Sequence, residues 1–404
     1  MKQAEKGISE RPVQAVILAG GLGTRLKPIT DTIPKPMIPF HGKPFLEYLL
    51  EMLVEQGFTK AVILLGYLPE KVIAYFGDGS KWNIAIEYAV SEIENDTGLR
   101  LQKAKHLFNP VFVLLYCDNY WPMDFANMWQ VFSKSAADAL VTVYLNRDGY
   151  TKNNIRIGAD GFIEVYDKTR TAENLQGVDI GFFILKNEVI DLIPEGNNNF
   201  EKTVIPQLIL RHSIITFPTE HRYYSVGSHE RLKLTEKFLE AVPTIVLDRD
   251  GVINQKAPKA EYITHWDAWH WIPGSKEAIC LLCKNGYRVI IVSNQAGIAR
   301  GMMTEDDLAA IHLHMQNELE NCGGRIEKIY YCPHGWDENC TCRKPKPGML
   351  FEAQRDYQLN LSKIFFVGDD ERDEMAGRAA GMKTFLVTEQ YTLLDFVKDQ
   401  ILPG

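Results

Sequence analysis

No run of about 18 apolar residues occurs in this 404-residue sequence, so it contains no candidate membrane-spanning helix. The opening Met-Lys-Gln-Ala-Glu-Lys-Gly has no apolar leader core, and the chain reads as cytoplasmic. A basic excess is also missing. Lys and Arg number 44 against 52 Asp and Glu, a net charge of -8, which excludes a general electrostatic grip on nucleic acid or a membrane surface. Local phosphate sites survive that exclusion, because they need only a few placed cations and backbone amides. Internal repeats and low-complexity tracts are absent. Cysteines are few, seven in all, and three of them, Cys332, Cys340 and Cys342, crowd around His334. In a reducing compartment such a crowd reads as a metal site before it reads as disulfides.

What is present is a two-domain α/β pattern. A chain of this length exceeds one ordinary core and suits two. Short β-rich runs at 13–18, 61–65, 84–88, 111–116 and 140–145 alternate with segments of helical periodicity at 45–55 and 69–76. A second series of strands is expected at 244–247, 288–292, 328–331, 364–367 and 384–387. Alternation of this kind predicts mostly parallel sheets covered by helices. The expected division is residues 1–229, a charged helical linker at 230–243, and residues 244–404.

The first strand runs into Leu18-Ala-Gly20-Gly21-Leu-Gly23-Thr24-Arg25-Leu, followed by Pro-Lys35-Pro-Met. Three glycines in four residues let backbone amides approach a polyphosphate, and Arg25 and Lys35 supply cations. The whole string resembles the sugar-phosphate nucleotidyltransferases across roughly residues 13–230. That resemblance implies a Rossmann-like mixed sheet. It further implies a triphosphate held by Leu18, Gly20, Gly21, Gly23 and Thr24, with Arg25 on the departing pyrophosphate and Lys35 on the sugar phosphate. Thr97 and Gly98 match the base-side loop, Lys168 and Asp179 the sugar side, and Asp118 a magnesium aspartate. A second metal aspartate of the family falls on Ser225, so Asp179 or water is left to complete the shell.

After Pro243 four pieces follow in order: Asp248-Arg-Asp250-Gly-Val, Ser293-Asn294-Gln with Arg300, Arg343-Lys344-Pro, and Gly-Asp369-Asp370 with Asp373. Each lies near an expected strand end. Asp248 can attack phosphorus as a carboxylate nucleophile, with Asp250 as the acid and base. Ser293 can hydrogen-bond the phosphoryl group and Lys344 can neutralise it. Crowded carboxylates need a cation among them, so magnesium is expected at Asp248, Asp250 and Asp369, with Asp373 supporting the loop. Asp370 and Glu371 read as caps of the next helix. The set resembles the haloacid-dehalogenase phosphatases over roughly 243–395, implying a parallel sheet without a large cap domain.

Cys332, His334, Cys340 and Cys342 form a complete tetrahedral zinc set with no open position, which favours a structural ion. Cys322 and Cys283 read as packed core positions. The loop narrows the resemblance to the heptose 1,7-bisphosphate 7-phosphatases and histidinol-phosphate phosphatases, with Arg300 and Arg343 as contacts to the rest of the substrate. Trp266, Trp269 and Trp271 read as an aromatic cluster over the core. His312 and His314, two apart on a helix, receive no role.

The two halves suit consecutive steps. The leading expectation is a bifunctional enzyme that removes the 7-phosphate of D-glycero-D-manno-heptose 1,7-bisphosphate and transfers a nucleotidyl group, GMP from GTP, to the sugar 1-phosphate. One alternative pairs a phosphatase for another phosphorylated polyol with cytidylyl transfer. Another makes the N-terminal half a nucleotide-sugar-binding module without catalysis. Nucleoside triphosphate and sugar phosphates are the expected small-molecule partners, with no nucleic acid or membrane, and a homo-oligomer stays open.

Overall fold

The computed structural model describes residues 11–258 and 261–403; the reading of the first seven residues as lacking an apolar leader core falls outside them. The chain divides into two compact units between Leu239 and Glu240.

In the first unit, strands β1 (Gln14–Ala19), β2 (Lys60–Leu65), β3 (Ala85–Val90), β4 (Val111–Tyr116), β5 (Ala139–Tyr144), β6 (Val178–Lys186) and β7 (Ile214–Thr219) form one sheet. Their spatial order is β7-β5-β6-β4-β1-β2-β3. Only β6 runs antiparallel to its neighbours, so the sheet is mixed. β1, Gln-Ala-Val-Ile-Leu-Ala, is buried at every residue, as a parallel strand covered on both faces must be. Its alternate side chains feed two cores. Ala15, Ile17 and Ala19 pack with the helix Phe45–Glu55, and Val16 and Leu18 pack with Leu101 and Phe112 on the other face.

The stretch expected as a linker is part of this unit as far as Leu239. On the helix His229–Leu239, the Phe238 ring stacks on Tyr224 at 3.8 Å, and the buried Thr235 donates its Oγ1 to the Ser225 carbonyl at 2.9 Å. That packing fixes a two-stranded ribbon, Asn119–Tyr120 with Tyr224–Ser225, directly beyond β4. The helical stretch reads as polar because its buried face is narrow.

The second unit has a five-stranded, wholly parallel sheet: β8 (Thr244–Leu247), β9 (Arg288–Asn294), β10 (Lys328–Cys332), β11 (Phe365–Gly368) and β12 (Lys383–Leu386), ordered β10-β9-β8-β11-β12. Central β8 is completely buried. The helix Glu371–Ala379 begins at Asp370, whose carboxylate caps it in a reciprocal box with Asp373. Trp266 and Trp269 stack at 5.4 Å within the core layer, as an aromatic cluster should. The cysteine reading needs correction. Cys322 is exposed rather than packed, and it is disulfide-bonded to Cys280, a pairing across 42 residues that local sequence cannot reveal.

Both sheets therefore present the carboxyl ends of their central parallel strands as the open edge. In α/β folds that edge is where ligands bind.

Candidate functional sites

In the second unit β8 delivers Asp248 to the open edge, where the Asp248 backbone N–H still bonds to the Val367 carbonyl at 2.9 Å. Lys344 Nζ lies 2.8 Å from Asp248 Oδ1 and 2.6 Å from Asp373 Oδ1, and donates to the Val292 carbonyl at 3.0 Å. With 3% exposure, this ammonium is locked among three acceptors. Burial pushes the Asp248 carboxyl up, and the neighbouring Asp373 and Asp250 add to that, against the pull of Lys344. Burial disfavours the Lys344 ammonium, but Asp248 and Asp373 outweigh it and raise its pKa.

Asp250 faces a different set of partners. Its Oδ1 accepts from Arg249 Nη2 at 2.9 Å and Asn254 Nδ2 at 2.9 Å, and its Oδ2 accepts from Gln295 Nε2 at 2.8 Å. Burial alone would raise this carboxyl, but Arg249 and these donors lower it overall. The expected magnesium role for the Asp250 carboxylate is thus not supported, because its oxygens are committed to donors. The carboxylates that do converge are Asp248, Asp369 and Asp373, whose ligand atoms lie within 4.8 Å of one another.

Asp373 is held by Lys344 on Oδ1 and by the Asp369 and Asp370 N–H groups on Oδ2, so Asp248 and Asp369 are the pair that suits a hard divalent cation with oxygen ligands. Asp369 Oδ1 is buried and has no hydrogen-bond partner, while Oδ2 meets Lys256 Nζ at 2.6 Å. A Cβ at Gly251, where φ is +96°, would come within 2.0 Å of Asp369 Oδ2, so only glycine lets the chain turn here.

Ser293, 1% exposed, accepts a 2.8 Å bond from Gln295 Nε2 and lines the same 430 Å³ cavity as Asp248, Asp250, Asn294, Arg300, Arg343 and Lys344. Asn294 is mainly a brace: its Oδ1 accepts from the Lys344 backbone N–H at 3.0 Å and its Nδ2 donates to the Lys344 carbonyl at 3.1 Å. Arg300 lies beneath the exposed Trp336 ring, 4.4 Å from its centroid. Trp336 sits in the cysteine loop, and sequence reasoning passed over it.

Cys332 Sγ stands 3.6 Å from both Cys340 Sγ and His334 Nδ1, and Cys342 Sγ stands 3.3 Å from His334 Nδ1. A tetrahedron with arms of about 2.3 Å has edges of about 3.8 Å, so these donors already hold the spacing of a closed four-ligand site.

In the first unit the turn after β1 lines a 300 Å³ cavity with Leu18, Gly20, Gly21, Gly23, Thr24, Arg25, Lys35, Thr97 and Asp118. Gly23 adopts φ +65°, which the turn requires, and Thr30 Oγ1 bonds to its carbonyl at 2.9 Å. Lys35 Nζ lies 2.5 Å from Asp118 Oδ2. The structure separates four expected residues from this cavity wall. Gly98 is turned against Asn198, whose carbonyl accepts from the Gly98 N–H at 2.9 Å. Lys168 pairs with Glu201. Asp179 is spent on the Tyr166 hydroxyl at 2.9 Å and the Gly181 N–H at 2.7 Å, which leaves it poorly placed to complete a metal shell. Ser225 brings no charge, although its ribbon adjoins Asp118, where the Val226 N–H bonds to the Asp118 carbonyl at 2.9 Å. Among the described residues, Asp118 is therefore the one carboxylate that lines the cavity at the Lys35 end. A magnesium ion there would draw its other ligands from nucleotide phosphates and water.

One missed residue supports Asp250 from behind. His312 Nε2 lies 3.3 Å from Arg249 Nη1, and Arg249 is only 1% exposed. Burial, with the adjacent Arg249 charge, pushes His312 down to about 3. Its folded value lies below the ordinary 6.5, so its stabilising contribution is full above about pH 6.5 and is lost as pH falls toward about 3. Replacing it by His312→Gln, which keeps an acceptor for Arg249, is expected to remove up to about 1.4 kcal/mol of stability change per pH unit across that window. Denaturant unfolding of both proteins from pH 7 to pH 4 measures the difference, and parallel curves would refute it.

Residues 14–240 match the nucleotidyl transferase family, and residues 341–397 match the HAD-hydrolase-like family. The chain is 45% identical over 143 residues to the D-glycero-beta-D-manno-heptose-1,7-bisphosphate 7-phosphatase of Pseudomonas putida, covering 35% of this chain and 81% of that protein. A crystal structure of the D,D-heptose 1,7-bisphosphate phosphatase from B. bronchiseptica, complexed with magnesium and phosphate, is 38% identical, with a TM-score of 0.35, over 40% of this chain and 87% of that one. The first unit shares its fold with a protein from Bacillus anthracis described as a glucose-1-phosphate thymidylyltransferase in complex with sucrose. That pair is 19% identical with a TM-score of 0.51, over 57% of this chain and 96% of that one. The chain thus belongs to the nucleotidyl transferase family over its N-terminal unit and, over its C-terminal unit, to the HAD-like family of heptose-bisphosphate phosphatases.

Proposed function

We propose that this protein is a bifunctional enzyme of nucleotide-sugar synthesis. Its C-terminal unit hydrolyses the 7-phosphate of D-glycero-D-manno-heptose 1,7-bisphosphate, and its N-terminal unit transfers a nucleotidyl group, GMP from GTP, to the heptose 1-phosphate that results. The observation that carries the first half is the Lys344 ammonium 2.8 Å from Asp248, with Ser293 and Asp250 on the same cavity, in a chain 45% identical over 143 residues to a phosphatase of that name. The second half follows from chemistry: a sugar 1-phosphate is what a nucleotidyl transferase consumes.

In the phosphatase site, Asp248 attacks phosphorus and expels the sugar oxygen, forming an aspartyl phosphate. Asp250 is held ionised by Arg249 in the free site, and a phosphate dianion arriving beside it favours its protonated form. That proton goes to the leaving oxygen. Asp250, now a carboxylate, takes a proton from the water that attacks the phosphorus of the aspartyl phosphate. Lys344 and the Ser293 hydroxyl face the phosphoryl oxygens. Magnesium bound by Asp248 and Asp369 would supply the remaining charge neutralisation, with Asp373 holding Lys344 and the loop. Zinc at Cys332, His334, Cys340 and Cys342 would fix the loop that carries Trp336 and leads into Arg343.

In the transferase site, an oxygen of the sugar 1-phosphate displaces pyrophosphate in line, so the chain's task is placement and charge. Arg25 and Lys35 serve the departing pyrophosphate and the incoming phosphate. A second reading, a binding module without catalysis, is favoured by one observation only: the position expected to give Asp118 a second acid is Ser225, on the ribbon strand beside it. Nucleoside triphosphates and sugar phosphates are cytoplasmic metabolites, which supports a cytoplasmic site of action.

Three outcomes are expected. Asp248→Asn should lower phosphate release by at least about a thousandfold in protein that still unfolds cooperatively; turnover near wild type would remove the nucleophile assignment. Purified protein should contain one zinc per chain by elemental analysis, and Cys342→Ser should lose it and unfold at lower temperature. Pyrophosphate release from a panel of triphosphates with heptose 1-phosphate should be greatest with GTP. Release with none of them, in protein that still binds nucleotide, would select the binding-module reading.

A further inference from the structure

The cavity at the glycine turn holds a buried cation to which none of the chemistry above assigns a task. Arg100 stands on the helix Thr97–Ala104, the helix beginning at the base-side segment, and is 5% exposed. Its Nη1 donates to the Leu65 carbonyl and to Ser91 Oγ, both at 2.8 Å. Its Nη2 donates to the carbonyls of Glu92 at 2.9 Å and Ile93 at 3.0 Å, with the Gly20 carbonyl at 3.4 Å. These partners come from the segments that follow three neighbouring strands: Gly20 after β1, Leu65 at the end of β2, and 91–93 after β3. None is a carboxylate, so the guanidinium serves here as a planar set of donors rather than as half of an ion pair.

The glycines around it carry the same message. A Cβ built on Gly20 would lie 2.5 Å from Arg100 Cζ, and one on Gly66 would lie 2.5 Å from Nη2. A long side chain can usually swing away from such a clash. This one cannot without unpairing buried donors and the carbonyls they satisfy. Gly20 and Arg100 are therefore mutually dependent. The first must lack a side chain because the second is fixed, and the second can reach the Gly20 carbonyl only because the first has none.

We propose that Arg100 is a positioning residue of the nucleotide site, the tie that sets the separation between the glycine turn and the 91–97 segment. Gly20, Gly21 and Thr24 form one wall of the 300 Å³ cavity, and Ile93, Asn95, Asp96 and Thr97 form the other. Arg100 lines the cavity between them and bonds to both sides. Loosening it widens the space the nucleotide must fill, and leaves the sugar-phosphate end at Lys35 and Asp118 in place. The inference rests on the nucleotidyl-transfer reading above.

The test uses the full chain and the triphosphate that wild type uses best. Arg100→Lys keeps the charge on a slightly shorter side chain and loses the planar fork; Arg100→Met removes both charge and donors. Each should raise KM for the triphosphate about tenfold or more, with KM for the sugar 1-phosphate within about twofold of wild type. Gly20→Ala should be comparably harmful alone and add little further loss when combined with Arg100→Met, the non-additivity expected of two groups sharing one contact. A wild-type KM in Arg100→Lys would overturn the tie, since charge alone would then suffice. So would equal rises in both KM values, or independent losses in the double variant. If Arg100→Met fails to fold by thermal unfolding, the Arg100→Lys result decides alone. Wild type that neither binds nucleotide nor releases pyrophosphate would remove the transfer reading and this inference together, whereas active wild type with indifferent variants would remove only the tie.

Discussion

A parallel sheet gathers its chemistry at one edge, and that edge is buried deeply enough that every charge placed there must be answered locally. At Asp248 the answer is Lys344, 3% exposed and shared with Asp373. At Asp250 it is Arg249, backed by neutral His312. Breaking one partner of such a pair leaves an uncompensated charge and typically costs about 3–5 kcal/mol. The phosphatase edge is therefore a closed charge arrangement in which each of the two aspartates, one residue apart in sequence, has its own cation. Burial disfavours both anions, Lys344 pulls Asp248 toward the carboxylate that a nucleophile needs, and Arg249 does the same for Asp250.

The transferase edge solves the same problem with fewer acids. Lys35 answers Asp118, and Arg100 is answered by carbonyl dipoles alone. That leaves a site richer in cations than in carboxylates, which suits a polyphosphate carrying its own charge and metal. The contrast between the two edges matches their chemistry: one must make a nucleophile from a carboxylate, while the other has only to hold two anions in line.

Much of this was legible in the sequence because the key groups are adjacent in it. Asp248 and Asp250 flank one residue, the glycine turn is contiguous, and the spacing of Cys332, His334, Cys340 and Cys342 in the cysteine loop is short enough to read directly. Ten of the twelve strands in the two sheets announced themselves as apolar β-branched runs, and the helix Phe45–Glu55 by its period, while Val178–Lys186 and Ile214–Thr219 were passed over. What stayed hidden depends on convergence. Arg100 looks like any solvated helix residue until 20, 65 and 91–93 are brought around it. His312 looked idle because its partner is 63 residues away. The donors around Asp250 stayed hidden for a related reason, since a carboxylate in sequence does not show which donors will occupy it. The charged helix His229–Leu239 resembled a linker because only a narrow face, Thr235 and Phe238, is buried.

The division between Leu239 and Glu240 has a consequence for supply. Two activities translated as one polypeptide are made in equal numbers whatever the level of expression, and they are degraded together. A cell cannot change the ratio of the two catalysts by adjusting separate transcripts. Any balance between the intermediate's production and its use must be set by the turnover rates written into each half, so selection on one unit's speed is at once selection on the other's.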